Sequence, residues 1–276
     1  LVSPEKISSK ERGAPHLVVS DLNVASLHQH GVNLKGISFD VHSGEVLGIA
    51  GIAGNGQREL MEVLSGEVRT RNADTILIGK EPVGLSGPIE RRKAGMCFVP
   101  EERLGHGAVP ELSLWENAFL SGAQRMNLSN KGFMSVTAST VYADNIVQAF
   151  NVKTVGVRNA ANSLSGGNLQ KFIFGREILQ SPSVMVVLQP TWGVDAGSAA
   201  AIRQSLIDLA EKGAAVLIIS QDLEELFEVS GRIAVICEGK LSEVFLASNI
   251  SVDEIGLLMA GINSQGSKYG EATYDH

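Results

Sequence analysis

The sequence lacks the features of a membrane-spanning, secreted or disulfide-rich protein. Its longest apolar runs, Val184–Leu188 and Ala214–Ile219, are far shorter than the roughly 18 residues that a membrane helix needs. Its 2 cysteines, Cys97 and Cys237, lie in apolar runs, so we expect buried, reduced thiols and a cytosolic compartment rather than a disulfide or a metal pair. The chain begins at Leu1 rather than methionine and no signal-peptide pattern follows, so we expect a piece of a longer polypeptide.

A strongly basic surface is also missing. The chain has 23 Lys and Arg against 30 Asp and Glu, which gives a formal net charge of −7. Nucleic-acid backbones are bound by clustered Lys and Arg, and the sequence contains no such cluster. We therefore expect no nucleic-acid partner. With 44% hydrophobic residues, the chain can instead bury a sizeable globular core.

Apolar periodicity and turn residues divide the chain into strands and helices. Strands alternate with helices in the second half, which predicts parallel βαβ units and an α/β fold. The first two strands alternate apolar and polar residues, and we expect them to pair antiparallel at a sheet edge. We predict strands over His16–Val24, Gly36–Val41, Glu45–Ala50, Thr75–Ile78, Gly95–Val99, Val184–Leu188, Ala214–Ser220, Arg232–Cys237 and Leu241–Phe245. We predict helices over Gln57–Leu64, Ile89–Lys93, Leu114–Leu120, Val136–Phe150, Gly197–Glu211, Leu223–Val229 and Val252–Gly261.

Changes of composition predict the domain organisation. Residues 1–15 show no periodicity and are predicted to be a linker, and residues 263–276 are predicted to be a disordered tail. Residues 111–162 show long helical patterns and no convincing strand, which predicts a helical subdomain inserted into the sheet domain. The core domain would then comprise residues 16–110 and 163–262.

The stretch Leu164–Lys171, which reads LSGGNLQK, predicts a helix start with bare backbone N–H groups. Ser165 can cap the first turn, and Gly166 and Gly167 have no Cβ that would keep a phosphate from the backbone. Helix starts of this kind bind anions because their first N–H groups have no acceptor within the helix. The stretch therefore predicts an anion site at the start of a helix that runs to Leu179.

A glycine-rich loop lies between a predicted buried strand and a predicted helix. It is Gly51–Gly56, directly after the strand that ends at Ala50. In this setting a glycine-rich loop indicates phosphate binding rather than a turn. The candidate nucleotide-binding residues are Gly51, Gly54, Asn55, Gly56, Gln57 and Arg58.

The order of these segments matches one protein family. Along the chain come the glycine loop, Glu101 after a strand, the helical insert, LSGGNLQK, an apolar strand ending in Leu188-Gln189-Pro190-Thr191, Asp195, and Ser220-Gln221 after a strand. Over roughly residues 16–262 the chain resembles a nucleotide-binding domain of ATP-binding cassette (ABC) transporters. This resemblance implies a P-loop NTPase-type, mostly parallel sheet with an antiparallel β edge and an inserted α-helical subdomain. It also implies that LSGGNLQK is the family's signature motif.

The glycine loop departs from the family pattern at two positions. A P-loop ends in Gly-Lys-Ser/Thr, where the lysine reaches the β- and γ-phosphates and the hydroxyl binds Mg²⁺. Gln57 and Arg58 stand at those two positions. Gln57 can donate a hydrogen bond but has no charge, and Arg58 cannot coordinate a cation. The loop therefore lacks its phosphate-binding cation and its metal ligand.

The hydrolytic positions implied by the resemblance are altered too. The family's Asp-Glu pair, which holds Mg²⁺ and polarises the attacking water, is replaced by Leu188 and Gln189. A leucine has no lone pair, and a glutamine amide cannot accept the proton of that water. Gln221 replaces the usual switch histidine, and Glu101 replaces a glutamine that contacts metal and water. We therefore expect no intact catalytic residue in this chain's own site and negligible hydrolysis by the isolated chain.

Cassettes of this family pack head to tail, so that each ATP lies between the P-loop of one and the signature helix of the other. The resemblance therefore implies that this chain completes an ATP site on a partner cassette, which holds the Mg²⁺ as well. The implied signature residues are Ser165, Gly166, Gly167, Asn168 and Gln170, and Asp195 is implied to lie at the dimer interface. The implied cofactor is ATP, with Mg²⁺ expected only at this composite site.

The wording of the motifs resembles one branch of the family in particular. The segments GNGQREL, FVPEER and QPTWGVD are similar to the second cassette of fused tandem ATPases that energise bacterial uptake of simple sugars and nucleosides. The loop Gly54–Gln57 favours the nucleoside branch over the ribose and galactose branch. The implied partners are an N-terminally fused cassette, transmembrane permease subunits and, indirectly, a solute-binding protein. The implied location is peripheral, at the cytoplasmic face of the plasma membrane.

Two other functions compete with this interpretation. A cassette protein that acts on ribosomes or DNA would predict a basic surface or a long charged insert, and neither is visible. The second alternative is a regulatory scaffold that binds nucleotide without hydrolysing it. This alternative remains, because the chain's own nucleotide site departs from the family pattern at each of the positions described above.

Several other side chains have both a plain and a functional interpretation. His28 and His30 are either surface residues or partners of adenine or a metal, and Trp192 is either a nucleotide contact or a packing anchor. Trp115, with Leu112 and Leu114, either docks a permease helix or packs in the core. A solvated helix face is predicted for Glu224, Glu225 and Glu228.

Overall fold

The computed structural model describes residues 13–262, and the predicted disordered tail over residues 263–276 lies outside the described residues, as does most of the predicted linker. The predicted strands and helices are found, with small shifts at their ends. The helices are α1 Gln57–Ser65, α2 Pro88–Lys93, α3 Leu114–Gly122, α4 Val136–Ala149, α5 Gly166–Ile178, α6 Ala196–Glu211, α7 Leu223–Val229 and α8 Val252–Met259.

The strands fall into a larger sheet, a smaller sheet and a hairpin. They are β1 Pro15–Val24, β2 Leu34–His42, β3 Val46–Ala50, β4 Ile76–Ile78, β5 Glu81–Pro82, β6 Met96–Val99, β7 Ser129–Asn130, β8 Phe133–Met134, β9 Val184–Leu188, β10 Ala215–Ser220, β11 Arg232–Cys237, β12 Lys240–Leu241 and β13 Phe245–Leu246. The larger sheet has 7 strands in the order β12-β11-β3-β10-β9-β6, with β13 also paired to β11. Its pairs are parallel apart from those of β12 and β13, so the predicted mostly parallel α/β sheet is confirmed.

The first two strands pair antiparallel as expected, but they belong to a sheet of their own. β1 pairs with β2 on one side and with β4 on the other, in a 4-stranded sheet of order β2-β1-β4-β5. The antiparallel edge of the larger sheet is formed instead by the chain after β11. There, the prediction of a single strand over Leu241–Phe245 is wrong: two short strands, β12 and β13, lie at its ends. Between them, the hydroxyl of Ser242 accepts a hydrogen bond from the Val235 N–H, which takes the place of a backbone acceptor.

Two apolar cores lie on opposite faces of the parallel sheet. On β10, Val216 and Ile218 pack into one core with the helices α5 and α6, whereas Leu217 and Ile219 face the core shared with α1 and the antiparallel sheet. Alternate residues of a strand point to opposite faces, so a strand buried on both faces must be apolar at every position. This requirement explains the unbroken apolar runs of β9 and β10.

The helical insert contains a hairpin that the sequence analysis missed. Ser129 pairs with Met134 and Asn130 with Phe133, so β7 and β8 form an antiparallel pair between α3 and α4. The turn residues Lys131 and Gly132 both have positive φ, at 50° and 83°, as a tight hairpin turn requires. The glycine after a lysine was the available signal, but strands of two residues are too short to show alternation. Within residues 13–262 no helix is long and apolar enough to cross a membrane.

Candidate functional site

The predicted site residues lie in loops that follow parallel strands. The glycine loop follows β3, Glu101 follows β6, Gln189 follows β9 and Gln221 follows β10. Because the carboxyl ends of parallel strands meet at one edge of a sheet, the fold brings these loops together. Gln189 shows the contact directly, since its Oε1 accepts a hydrogen bond from the Gln221 N–H at 3.3 Å.

The side chain of Gln57 closes back onto the glycine loop. Its Nε2 donates to the carbonyl of Ile52 at 2.8 Å, and its Oε1 accepts from the N–H of Asn55 at 3.1 Å. Gln57 is buried, and a Cβ built on Gly51 would lie 2.6 Å from its Nε2, so only glycine leaves room for it. The Asn55 N–H, which a phosphate bound in the loop would need as a donor, already donates to Oε1 of Gln57. The amide of Gln57 therefore occupies one donor and one acceptor of the predicted phosphate-binding loop.

Arg58 points away from the glycine loop. Its side chain is 67% exposed, and its Nε lies 2.9 Å from Oε1 of Glu62, one turn along α1. The same carboxylate lies 2.8 Å from Nε2 of His28, so the loop between β1 and β2 is tied to α1 by a hydrogen bond. His28 therefore has an acidic partner, while His30 is exposed. Within residues 13–262 no group of three or more His, Cys, Asp or Glu is placed to hold a metal ion.

Gln189, which the sequence analysis predicts to replace a catalytic carboxylate, is a constrained residue. Gln189 is buried and has a φ of 51°, an uncommon value for a residue with a side chain. Its Oε1 also lies 3.2 Å from the Ser220 hydroxyl, which in turn lies 3.0 Å from Oε2 of Glu225. A hydroxyl has one proton, so Ser220 donates to only one of these acceptors at a time. Leu188 is buried in the core, and Glu101 is exposed at the rim.

The prediction of a solvated face on α7 is wrong for Glu225. Glu224 and Glu228 are exposed, but Glu225 is 3% exposed. Burial raises the pKa of Glu225 above its ordinary value, and the Thr191 and Ser220 hydroxyls oppose that shift. The available signal was spacing: Glu225 precedes Val229 by one turn and so lies on the buried face of the helix.

The start of α5 is exposed and its backbone donors are bare, as predicted, but Ser165 does not cap it. Ser165 is the residue before the first turn, yet its side chain makes no capping hydrogen bond to the helix. Its hydroxyl instead accepts from Nδ2 of Asn168 at 2.9 Å. The first hydrogen bond within the helix runs from the Leu169 N–H to the Ser165 carbonyl, so the N–H groups of Gly166, Gly167 and Asn168 have no acceptor within the helix. The serine is therefore held by a local side chain, and these three N–H groups remain as donors.

The remaining residues that were predicted to belong to the signature motif and the dimer interface differ in their surroundings. Gln170 is buried and its Nε2 donates to the carbonyl of Pro190 at 2.9 Å, which ties α5 to the loop after β9. Asp195 is exposed and caps α6, accepting from the Ser198 N–H at 2.9 Å and from its hydroxyl at 2.7 Å. Trp192 is 59% exposed, so it is not the packing anchor that was one of its two interpretations.

A buried ion-pair network anchors α5 to the segment before Glu101. Glu177 is fully buried, with Oε2 2.5 Å from Nη1 of Arg92 in α2 and Oε1 2.9 Å from Nε of Arg176. Burial alone would raise the pKa of Glu177, but Arg92 and Arg176 hold it below its ordinary value. Arg176 also donates to the carbonyl of Gly107 at 2.7 Å, so the helix and the loop after β6 are mechanically linked.

The loop after β6 packs against the insert and against α1. Trp115, at the start of α3, is partly buried against the larger core, and Leu114 is fully buried in that core. Their neighbour Leu112 is half-buried. His106, in the loop, lies 2.8 Å from Oε1 of Glu67, which follows α1. The hydrogen bond to Glu67 raises the pKa of His106, and the same bond lowers the pKa of Glu67. The ion pair therefore fixes this loop most firmly when His106 is protonated.

We expect His106→Gln to destabilise the protein in mild acid but not in mild alkali. A histidine whose pKa is higher in the folded chain stabilises the fold fully below its ordinary pKa of 6.5, and this contribution is lost as pH rises through the folded pKa. The measurement is urea unfolding of parent and variant at about pH 5.5 and about pH 8.5. Glu67→Gln should remove the same pH-dependent difference. An equal cost of His106→Gln at both values would contradict the ion pair.

Solved structures of other proteins share the fold of this chain. Solved structures similar to this chain include an ATP-binding subunit of an ABC transporter, with a TM-score of 0.70, 19% identity and coverage of 89% of this chain and 99% of that one. A dimeric ATP-binding cassette in a post-hydrolysis state, bound to ADP and Pi, also has a TM-score of 0.70, with 19% identity over 85% of this chain and 100% of that one. At this identity the structures establish the fold, and they confirm the predicted cassette architecture.

Curated relatives are more similar in sequence. The nucleoside import ATP-binding protein NupA of Lactococcus lactis is 35% identical over 90% of this chain and 48% of its own length. The glucose import ATP-binding protein TsgD13 of Haloferax volcanii is 36% identical over 91% of this chain and 46% of its own length. The chain thus spans about half the length of the curated relatives it matches. The family model described as ABC transporter matches residues 34–191, which is more than half of the chain, and the chain therefore belongs to the ABC transporter family.

Proposed function

We propose that this chain is an ATP-binding cassette of an importer for simple sugars or nucleosides, and that it supplies its signature motif to the ATP of a partner cassette. The observation that carries the proposal is the contrast between its two phosphate-binding elements. The start of α5 is exposed with bare N–H donors, whereas the glycine loop is closed by Gln57 and lacks a cation and a metal ligand. One half of an ATP site is kept, and the other half is altered.

The relatives support the transport role. Their names describe import of nucleosides, glucose and guanosine, and this chain matches about half of each. We infer that this chain is the C-terminal cassette of a two-cassette ATPase, with residues 16–110 and 163–262 as its core and residues 111–162 as its helical insert. Permease subunits and a solute-binding protein would complete the importer, with this cassette at the cytoplasmic face of the membrane. The loop sequence Gly54–Gln57 favours a nucleoside as the transported solute.

The nucleotide site formed by this chain's own glycine loop would bind nucleotide without a bound Mg²⁺. Gly54 is exposed at the loop tip, and a Cβ built on it would meet no neighbouring atom, so phosphate oxygens can still approach. Neither Arg58 nor Leu188 can bind Mg²⁺ as the family's hydroxyl and aspartate do at those positions. Gln189 can orient a water through its amide but cannot accept its proton. At the partner's site, by contrast, α5 would stabilise phosphate charge through its N–H groups and its positive helix end.

We expect the isolated chain to bind nucleotide weakly, with little dependence on Mg²⁺, and to hydrolyse ATP negligibly. ATP turnover by this chain alone should therefore stay at background, and turnover should appear when the chain is joined to a cassette with an intact P-loop and catalytic carboxylate. Gln189→Ala should change neither result. Robust turnover by the isolated chain that Gln189→Ala abolishes would contradict the proposed loss of its own site. Turnover that never appears in the pair would favour a non-hydrolytic scaffold.

A further inference from the structure

Arg103 lies over the exposed start of α5. It is in the loop after β6, and its Nη2 donates a hydrogen bond to the carbonyl of Trp192 in the loop after β9. A Cβ built on Gly166 would lie 2.7 Å from Nη1 of Arg103, and a Cβ built on Gly193 would lie 3.2 Å from Nη2. The guanidinium therefore occupies the space between two glycines, one of which is the first residue of α5.

Arg103 has no acidic partner among residues 13–262. Each of the arginines Arg92, Arg176 and Arg232 pairs with a carboxylate, but none of the ion pairs in the described part of the chain includes Arg103. Partial burial lowers the pKa of Arg103 below its ordinary value, and no negative charge offsets that loss of solvation. A guanidinium still remains charged under these conditions. Within residues 13–262, Arg103 is thus a cation without a counter-ion, next to backbone donors of the kind that bind anions.

The backbone holds Arg103 in place. Its carbonyl accepts from the N–H of Ala108 at 2.7 Å, and the carbonyl of Glu102 accepts from the N–H of Gly107 at 2.8 Å. Gly107 is in turn fixed to α5, because its carbonyl accepts from Arg176 at 2.7 Å. The loop that carries Arg103 is therefore anchored to the same helix whose start the guanidinium covers.

We propose that Arg103 is a phosphate-binding residue of the composite site, where its guanidinium contacts the terminal phosphate of the ATP held by the partner cassette. This proposal rests on the proposed function of α5. A helix start offers only about half an elementary charge, whereas a nucleoside triphosphate carries several negative charges. Arg103 supplies a full positive charge. Its guanidinium has five N–H donors, and the Trp192 carbonyl accepts from only one nitrogen, so donors remain for phosphate oxygens.

The test is steady-state ATP turnover by the full protein, in which this chain is assembled with its partner cassette. Arg103→Gln keeps a donor for the Trp192 carbonyl but removes the charge, and it should raise the apparent KM for ATP about tenfold, as expected for the loss of one charge-assisted hydrogen bond. Arg103→Lys keeps the charge and should raise it by less than about threefold. In both variants kcat should change less than KM. The matched control Arg71→Gln, an exposed arginine before β4, should leave both parameters unchanged.

Three results would overturn the role of Arg103. One is an unchanged KM in Arg103→Gln while Ser165→Arg abolishes turnover, in which case the proposed function of α5 stands without Arg103. Another is a fall of kcat alone that Arg103→Lys does not rescue, which would make Arg103 only a support for the Trp192 loop. Unchanged turnover in both Arg103→Gln and Ser165→Arg would remove the proposed function itself.

Discussion

Ser165→Arg should reduce ATP turnover of the assembled two-cassette protein by about a hundredfold or more, the size of effect seen when a donor to a developing oxyanion is removed. Ser165 and Gly166 are exposed, so we expect the variant to fold. The new arginine side chain would extend over the N–H groups at the start of α5. It would then occupy the space that a partner's phosphate needs. Turnover is measured with saturating ATP, and folding is checked by circular dichroism.

Two further variants sharpen this experiment. Ser165→Ala keeps every backbone donor and should cost far less turnover than the arginine, because the hydroxyl only accepts from Asn168. Ser251→Arg is the matched control, since Ser251 is an exposed serine that begins a helix, α8, far along the chain. This control should lower the free energy of unfolding by about 1 kcal/mol, because the helix cap is lost, but it should leave ATP turnover unchanged. Turnover of Ser165→Arg within twofold of the parent would exclude a phosphate-binding role for α5.

Glu177→Gln should destabilise the chain by about 3–5 kcal/mol, because it leaves Arg92 and Arg176 as buried, unpaired cations. The substitution conserves volume, so the loss would report on charge rather than on a cavity. For a chain of this size a loss of that magnitude corresponds to a fall in Tm of about 10 °C. The free energy of unfolding is measured by urea titration at neutral pH, where the lowered pKa of Glu177 keeps the parent carboxylate ionised.

Glu228→Gln is the control for this prediction. Glu228 is 40% exposed and pairs with Arg203 at 2.9 Å, so the same chemical change should cost less than about 1 kcal/mol. Because Glu177 links α5 to α2 and to the loop after β6, Glu177→Gln should also weaken the positioning of the α5 start. A cost of Glu177→Gln as small as that of Glu228→Gln would show that the buried network is not a stabilising anchor.

The parallel sheet and the order of its loops follow from the sequence, because strands buried on both faces need unbroken apolar runs. Local signals were weaker elsewhere. The hairpin around Lys131-Gly132 has strands too short for periodicity, and α7 has so few residues that its charged sequence concealed the buried Glu225. Ser165 stands at the expected position, but its hydroxyl accepts a hydrogen bond from the side chain of Asn168, one turn later, rather than from the helix backbone.

The sequence alone predicts which chemistry this chain's own site would lack, because Arg58 and Leu188 have no oxygen ligand for Mg²⁺ in their side chains, Gln57 carries no charge and Gln189 cannot accept a proton. Only the tertiary structure decides how the remaining groups are used. Arg92 and Glu177 are 85 positions apart, and Arg103 and Trp192 are 89 apart. Contacts at such separations depend on how the sheet and helices pack, and no local pattern encodes them. Packing therefore places Arg103, a cation with no acidic partner in the described part of the chain, over the start of α5, where the sequence showed only two glycines.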